Sequence, residues 1–359
     1  MSGDFPERLD SLIEGMRSFA LYRSPHDRYA HLLLQEKTLP KRLYDLRNLN
    51  TLSGFVMAPF RVSASCPVVL LEPDGRERIL LPCAEAPTPP EPLPPPPAMD
   101  EAYRGRFLVF LSALGQERFH KLVLSRRRLV VRGKGFSPSR VFLRACLQFP
   151  DSYVYLFHTP YTGSWLGSTP ELLLEGQNNR WHTVALAGTQ TLSPGVAPAA
   201  WDDKNRTEQR LVAQYIHTQL ARLGIQAEAH GPYTVQVGRL AHLQSDFRFT
   251  LPGLARPGDL LHLLHPTPAV SGLPKEEACC FISAHEGYRR RYYSGFTGWI
   301  DPEGPSEVYV NLRCMNILRR RLALYAGGGL LTTSLPEGEW QETENKMQTM
   351  LSLLKTEKA

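Results

Sequence analysis

A proline-rich run from Pro87 to Pro97, PTPPEPLPPPP, divides the chain. Proline lacks a backbone N–H and has a fixed φ, so neither a helix nor a central strand can continue through the run. The composition favours a stiff, extended spacer; recruitment of a proline-binding partner is the alternative. We therefore predict three parts: an N-terminal helix and strand region (1–86), a proline-rich linker (87–99) and a larger region (100–359).

A second informative stretch, GGGLLTTSLPEGEWQETENK, extends from residue 327 to residue 346. Its second half has helical periodicity, and Glu339, Glu342 and Lys346 fall on one stripe at i, i+3 and i+7. The stripe continues into Met350, so the charged positions point toward the core. A buried carboxylate requires a cation or a metal as its partner. The alternative is a solvated first turn, where acids favour the helix dipole.

Three further charged residues occur in apolar surroundings. Lys121 begins the strand-like run KLVLSRRRLVV, and an interior lysine with a lowered pKa could act as a base. Glu171 precedes three leucines, an environment that suits a general acid. Glu208 lies on the apolar stripe of a helix that Asp202 or Asp203 can cap. The alternatives are an edge-strand lysine and an ordinary strand-start glutamate, and the sequence alone does not show that the acids meet. Two helices with inward acids would suit Mg²⁺.

The remaining patterns predict the other elements. Residues 6–36 have helical periodicity, and residues 100–115, 135–148 and 275–285 also favour helices. Strands are predicted at 153–157, 183–189 and 321–325, with a hairpin of residues 292–300 and 307–318. Arg313 lies among apolar strand residues, where it would need a carboxylate partner.

Composition excludes several classes of protein. The chain of 359 residues is 42% hydrophobic and 21% charged, which excludes overall disorder. Its net charge of +6 is scattered, so we expect no nucleic-acid partner, and a small anionic substrate fits equally well. Six cysteines without C-x-x-C spacing suggest neither disulfides nor zinc. Without a signal pattern or an apolar run of about 18 residues, we expect a cytoplasmic protein and no membrane partner.

Nine motifs in order carry a resemblance to a known family. The motifs are KLVLSR, GSTPELLLEG, ALAGT, KNRTEQRLV, HPTPAVSG, YYSGFTGW, VNLRC, YAGGG and EWQETENK. From about Asp100 to Leu354, this ordered set resembles the chorismate-utilising enzymes, and within them the isochorismate synthases.

The resemblance implies an α+β (α/β) fold in which two large antiparallel sheets pack together with helices outside. It implies Lys121 as the base that activates water and Glu171 as the acid that protonates the departing hydroxyl. It implies Mg²⁺ as cofactor, with Glu208 and Glu342 as ligands and Glu339 close by. The substrate-binding residues that it implies are Gly188, Thr189, His265, Tyr293, Arg313, Gly327, Gly329 and Lys346.

The expected reaction is the Mg²⁺-dependent conversion of chorismate to isochorismate, for menaquinone or siderophore biosynthesis. Lys121 stands where aminating relatives have glutamine, which favours water as nucleophile and implies no amidotransferase subunit. Ala187 stands where aminodeoxychorismate synthases have lysine. A salicylate synthase remains an alternative because those enzymes share the lysine base. An inactive chorismate-binding relative remains another, because Asn205 and Gln209 replace an acid and a histidine of the family motif.

Overall fold

The computed structural model describes residues 5–82, 97–192, 200–238, 240–251 and 256–354. The helices in these ranges are α1 (Phe5–Glu14), α2 (Glu101–Gly115), α3 (Pro138–Gln148), α4 (Asp203–Arg222), α5 (Pro257–Leu264), α6 (Lys275–His285) and α7 (Pro336–Ser352), with a short 3-10 helix at Leu46–Asn50.

The strands carry most of the chain's regular structure. They are β1 (Ser18–Arg23), β2 (Tyr29–Gln35), β3 (Lys41–Leu43), β4 (Gly54–Ala58), β5 (Val68–Leu71), β6 (Gly75–Leu80), β7 (Lys121–Val131), β8 (Tyr153–Thr159), β9 (Gly163–Thr169), β10 (Leu172–Gln177), β11 (Arg180–Thr191), β12 (Glu228–Val237), β13 (Leu240–Thr250), β14 (Gly272–Leu273), β15 (Phe296–Ile300), β16 (Ser306–Val310), β17 (Cys314–Ile317) and β18 (Arg321–Leu330).

These strands form two antiparallel sheets of nine strands each among the described residues. The first sheet has the order β14-β7-β18-β17-β9-β8-β1-β2-β6, and the second has the order β12-β13-β11-β10-β16-β15-β4-β5-β3. Strands from the first 86 residues therefore complete both sheets. The proline-rich run from Pro87 lies almost wholly outside the described residues, and the three-part division of the chain stays a proposal.

The two sheets face each other across an aromatic core. Tyr153 of the first sheet stacks on Tyr309 of the second, with ring centroids 4.4 Å apart, and Phe55 of the second stacks on Phe157 of the first. Helices α4 and α5 cover the outer face of the second sheet. Helices α1, α3 and α7 cover the first. The predicted architecture of two packed antiparallel sheets with helices outside is confirmed.

Two predictions about individual elements are wrong. The helix predicted over residues 6–36 ends at Glu14, and residues 18–23 and 29–35 are strands. Met16 has a φ of 54°, a left-handed turn that ends the helix, and β1 then pairs with β2 and β8. Long-range pairing outweighs local helical periodicity here.

The strand predicted over residues 307–318 is also two strands. Residues 306–310 pair in the second sheet and residues 314–317 in the first, so the chain crosses between sheets at Asn311–Arg313. Arg313 has a φ of 45°, which breaks the extended conformation. The hairpin partner begins at Phe296 rather than Tyr292, because residues 291–294 form a turn. The crossing brings Arg313 to the mouth of the space between the sheets.

Candidate active site

A small cavity opens where the chain crosses between the sheets. Strands β7, β11 and β18, helices α4 and α7, and the loop before β14 contribute to its wall. Nine of the thirteen predicted site residues line it: Glu171, Gly188, Thr189, Glu208, Tyr293, Arg313, Gly327, Gly329 and Lys346.

Lys121 and Glu208 form a buried ion pair beside the cavity. The Lys121 side chain is fully buried, and its Nζ lies 2.9 Å from Glu208 Oε1. The two groups form an ion pair, but the Lys121 ammonium is not oriented to donate a hydrogen bond to the Glu208 carboxylate. Gly329 makes room for the pair, because a Cβ there would lie 2.2 Å from Glu208 Oε1 and 2.8 Å from Lys121 Cε.

The other two acids, on helix α7, are each paired with a lysine. Lys346 Nζ donates to Glu342 Oε1 at 2.5 Å, one helical turn away, and to the Gly327 carbonyl at 2.9 Å. Lys204 Nζ, on α4, donates to Glu339 Oε1 at 2.5 Å. Burial and the neighbouring Glu342 raise the pKa of Glu339 to about 7, whereas Lys346 and Lys204 lower the pKa of Glu342 despite its burial.

Glu171 provides a buried carboxyl group on the cavity wall. It lies between β9 and β10, and its backbone carbonyl accepts a hydrogen bond from the Val310 amide, which fixes the segment against the second sheet. Burial raises the pKa of Glu171 to about 7, although Lys121, Lys346 and Arg313 pull it down. A carboxyl group with this pKa can hold and release a proton near neutral pH.

Arg313 is oriented by His242, a residue of β13. His242 Nδ1 lies 2.9 Å from the Gly188 carbonyl, which can only accept, so Nδ1 carries the proton and Nε2 accepts from Arg313 at 3.4 Å. Burial and Arg313 lower the pKa of His242 to about 3, so the imidazole is neutral. Burial also lowers the pKa of Arg313 to about 10. The guanidinium needs an anionic partner, and the cavity is where one can bind.

The Gly188–Thr189 turn is held by the first turn of α4. The Thr189 amide donates to Asn205 Oδ1 at 3.0 Å, and Asp202 caps the helix through the Asn205 amide. Gly188 has a φ of +77°, and a Cβ there would lie 3.2 Å from Asn205. Asn205 thus holds the turn, as an acidic residue could. The Thr189 amide is therefore engaged, and its hydroxyl oxygen lies 3.4 Å from His242 Nδ1; the hydroxyl can still donate its own proton to a ligand.

Of the two remaining residues predicted to bind substrate, Tyr293 lies on the cavity wall and His265 does not. Tyr293 lines the cavity, and its ring stacks on Tyr325 with centroids 5.1 Å apart. His265 lies outside the lining: its Nε2 donates to the Pro59 carbonyl at 2.9 Å, and its ring meets Phe296 edge to face. We therefore leave His265 out of the proposed substrate-binding set. Gln209, the other departure in its motif, donates to Ser245 at 2.7 Å and ties α4 to β13.

The acids suit a hard cation by their chemistry. All three offer carboxylate oxygens, the ligands that Mg²⁺ prefers. Glu339 Oε2 is buried and has no hydrogen-bond partner within the described part of the chain, so it is available to a cation. Gly328 and Gly329 keep the approach open, because a Cβ at residue 328 would lie 2.6 Å from that oxygen. In this arrangement no three metal-binding side chains of the described residues are gathered around one point.

Sequence reasoning missed three contributors. His242 gave no signal because it lies in a strand without a motif. Lys204 stood inside a quoted motif, but its partner Glu339 is 135 positions away. Arg126 binds Glu344 and Thr343 and holds the back of α7 to β7, a contact that local periodicity cannot reveal.

Fold and site together define an α+β protein with a cleft for a small anionic ligand, lined by acids and by cations that those acids only partly neutralise. The sequence model of the family described as "Chorismate binding enzyme" matches residues 96–355. The chain belongs to this chorismate binding enzyme family, and the resemblance drawn from its motifs is confirmed.

Individual relatives agree with this assignment. The chain is 33% identical to isochorismate synthase EntC of Escherichia coli (strain K12) over 245 residues, 65% of this chain and 62% of EntC. It is 35% identical to isochorismate synthase MenF of the same strain over 214 residues, 56% of this chain and 49% of MenF. The matches thus span 62% of the length of EntC and 49% of the length of MenF, less than two thirds in each case.

Solved structures agree in fold. MenF, the menaquinone-specific isochorismate synthase from Escherichia coli, superposes with a TM-score of 0.78 at 23% identity, covering 97% of this chain and 91% of that chain. Anthranilate synthase component I from Streptococcus pneumoniae TIGR4 gives 0.71 at 17% identity, covering 91% and 93%. None of the helices in the described ranges is long and apolar enough to span a membrane.

Proposed function

We propose that this protein is an isochorismate synthase that converts chorismate to isochorismate with Mg²⁺ as cofactor. The observation that carries the proposal is the cavity itself. On its wall, Glu171 has a pKa near 7 and interacts electrostatically with Lys121, Lys346 and Arg313. An acid and two anion-binding cations on the wall of one small cavity, with a base beside it, match a reaction on a dicarboxylate that moves two protons.

Substrate binding follows from the charges. Chorismate carries two carboxylates, and Arg313 and Lys346 each present donors at the cavity. We assign these two residues to the substrate carboxylates, with Tyr293 and the Thr189 hydroxyl as further contacts. The backbone at Gly188, Gly327 and Gly329 allows close approach of the ring because these residues have no side chain. His242 keeps the Arg313 guanidinium aimed at the cavity.

The chemistry needs one base and one acid. Lys121, in its neutral form, takes a proton from water as the water oxygen bonds to a ring carbon. The ring double bonds shift, the bond to the departing hydroxyl oxygen breaks, and Glu171 supplies the proton that completes a water molecule. One water enters and one leaves, so atoms and charge balance. Burial of both groups keeps bulk water from competing for these protons.

The cation would be held by Glu208 and Glu342, with Glu339 beside them. When bound, Mg²⁺ supplies positive charge that neutralises a substrate carboxylate and polarises it. Lys346 lies between Glu342 and the Gly327 carbonyl, so the same helix turn presents a cation ligand and a substrate donor.

The first test is to incubate the purified protein with chorismate, with and without Mg²⁺, and to separate the products by chromatography. Isochorismate formed only with Mg²⁺ is the expected result. Salicylate with pyruvate would instead make the protein a salicylate synthase. Chorismate that binds but is not converted would make it a binding protein and overturn the proposed activity.

The wider setting is also part of the proposal. The name of the Escherichia coli structural neighbour refers to menaquinone, and we propose that pathway for this chain, with siderophore synthesis as the alternative. We propose a cytoplasmic location and no amidotransferase subunit, because Lys121 favours water over ammonia as nucleophile.

A further inference from the structure

Each of the three acids of the proposed cation site has its own lysine. Glu208 pairs with Lys121, Glu342 with Lys346 and Glu339 with Lys204, at Nζ–Oε1 distances of 2.9, 2.5 and 2.5 Å. With all six groups ionised, the charges sum to zero. The proposed reaction uses two of these lysines, Lys121 and Lys346. It leaves the third, Lys204, without a role.

Lys204 is placed to act on the whole cluster. It comes from α4, whereas Glu339 and Glu342 come from α7, so its pair with Glu339 bridges the two helices that carry all three acids. Burial alone would lower the pKa of Lys204, but Glu339, Glu342 and Glu208 together raise it. Its side chain is 23% exposed, whereas that of Glu339 is 3% exposed. Lys204 can therefore move outward to solvent, while Glu339 must stay inside.

The two oxygens of Glu339 have different surroundings. Oε1 accepts from Lys204 and from Ser334, whose hydroxyl lies 2.8 Å away. Oε2 is buried and has no hydrogen-bond partner in the described residues. A permanent structural ion pair usually satisfies both oxygens. Because only one oxygen of Glu339 has hydrogen-bond donors, this carboxylate is suited to exchanging Lys204 for another cation.

We propose that Lys204 is a tethered counter-ion that occupies Glu339 until a divalent cation displaces it. This inference rests on the proposed Mg²⁺ site and assigns a competing role to a residue of this chain. Lys204 keeps three acids from repelling one another on two adjacent helices. The same charge opposes entry of the cation and so sets its affinity.

The test is the affinity for Mg²⁺, measured by isothermal titration calorimetry on the full chain without substrate. Lys204→Met keeps the length of the side chain and removes its charge. If Lys204 competes with the cation, the variant binds Mg²⁺ about fivefold more tightly than wild type, because one partly exposed ion pair no longer has to break. The variant also gains more thermal stability from Mg²⁺, since Glu339 has lost its other cation.

Two other outcomes would count against the proposal, each in a different way. Unchanged or weaker Mg²⁺ binding by Lys204→Met overturns the competition and makes Lys204 a fixed support for Glu339. If wild type itself binds no Mg²⁺, the proposed cation site fails instead. The matched control is Lys41→Met, which removes a surface pair with Glu72 and leaves Mg²⁺ affinity unchanged.

A second measurement on wild type does not depend on the variant folding. Amine acetylation followed by mass spectrometry reports how freely each lysine reacts. Displaced from Glu339, Lys204 should be labelled several times faster with Mg²⁺ than without it, while Lys41 keeps its rate. Labelling of Lys204 that is unaffected or slowed by saturating Mg²⁺ would refute the displacement.

Discussion

The guanidinium of Arg126 lies over the ring of Trp340, 3.7 Å from its centroid, and so joins strand β7 to helix α7. Arg126 also donates to Thr343 at 2.7 Å and binds the buried carboxylate of Glu344. These contacts lie on the face of α7 that turns away from the cavity. They fix the helix whose other face carries Glu339, Glu342 and Lys346.

Arg126→Met should destabilise the protein by about 3–5 kcal/mol, because Glu344 would lose its main buried partner. Arg128, 3.2 Å from the other Glu344 oxygen, can compensate only in part. The measurement is the free energy of unfolding in urea. Arg8→Met, which removes an exposed pair with Glu77, should cost less than about 1 kcal/mol. An equal effect of both substitutions would contradict the anchoring role of Arg126.

Much of this arrangement could be predicted from sequence. The motifs identified the family, the strand of Lys121 and the inward stripe of Glu339, Glu342 and Lys346. These features could be predicted because the residues on the core-facing side of a helix or strand recur at a fixed spacing in the sequence. The inward direction of Glu208 on α4 followed from the same argument.

Other features depend on contacts between distant parts of the chain. The strand at residues 18–23 pairs with β8, more than a hundred residues later, and the strand at residues 29–35 pairs with residues 18–23 and with β6. The break at Arg313 arises where one strand leaves one sheet for the other. The pair of Lys204 with Glu339 joins two separate helices. No local pattern contains any of this information.

Glu171→Gln should change how stability depends on pH. Folding raises the pKa of Glu171 from its ordinary value of 4.5 to about 7. The folded state therefore binds this proton more tightly, so its stabilising effect is fully present below pH 4.5 and is lost as pH rises toward 7. Glutamine stays neutral throughout.

Between pH 4 and pH 8, wild type should therefore lose about 3 kcal/mol relative to Glu171→Gln. Buried histidines also make the free energy of unfolding depend on pH in this range. Their contribution is the same in both proteins and cancels in the difference. The measurement is urea unfolding of both proteins at the two pH values, with EDTA present. A difference that does not vary with pH would contradict a neutral, buried Glu171 in the folded state.

Gly329→Ala should lower the rate of chorismate turnover, because the added methyl group would overlap with the Glu208 carboxylate. A Cβ at this position would lie 2.2 Å from Glu208 Oε1, so the carboxylate and its partner Lys121 must shift. A displacement of this size typically costs about a hundredfold in rate. Gly105→Ala is the matched control: it lies in α2 with no atom within 4 Å of the added Cβ, and alanine should stabilise the helix by up to about 1 kcal/mol. Both variants are assayed for chorismate turnover and thermal stability, and normal turnover of Gly329→Ala would contradict the assigned geometry.

Lys121→Met tests the proposed base directly. Methionine is close to lysine in length and suits a site with no exposure to solvent, so the strand should remain in place. Removal of the ammonium leaves Glu208 without its lysine, and Mg²⁺ can supply the missing positive charge. We therefore expect the variant to be less stable than wild type without Mg²⁺ and to approach it when Mg²⁺ is added.

Turnover of chorismate by Lys121→Met should fall by about a hundredfold to ten-thousandfold, the usual contribution of a positioned base. Binding of chorismate should persist, because Arg313 and Lys346 are untouched. The decisive comparison is kcat against the dissociation constant of chorismate, each measured at saturating Mg²⁺. A loss confined to binding would make Lys121 a substrate-binding cation. A loss confined to kcat assigns it the proton transfer, because only that step requires a group that can accept a proton at this position.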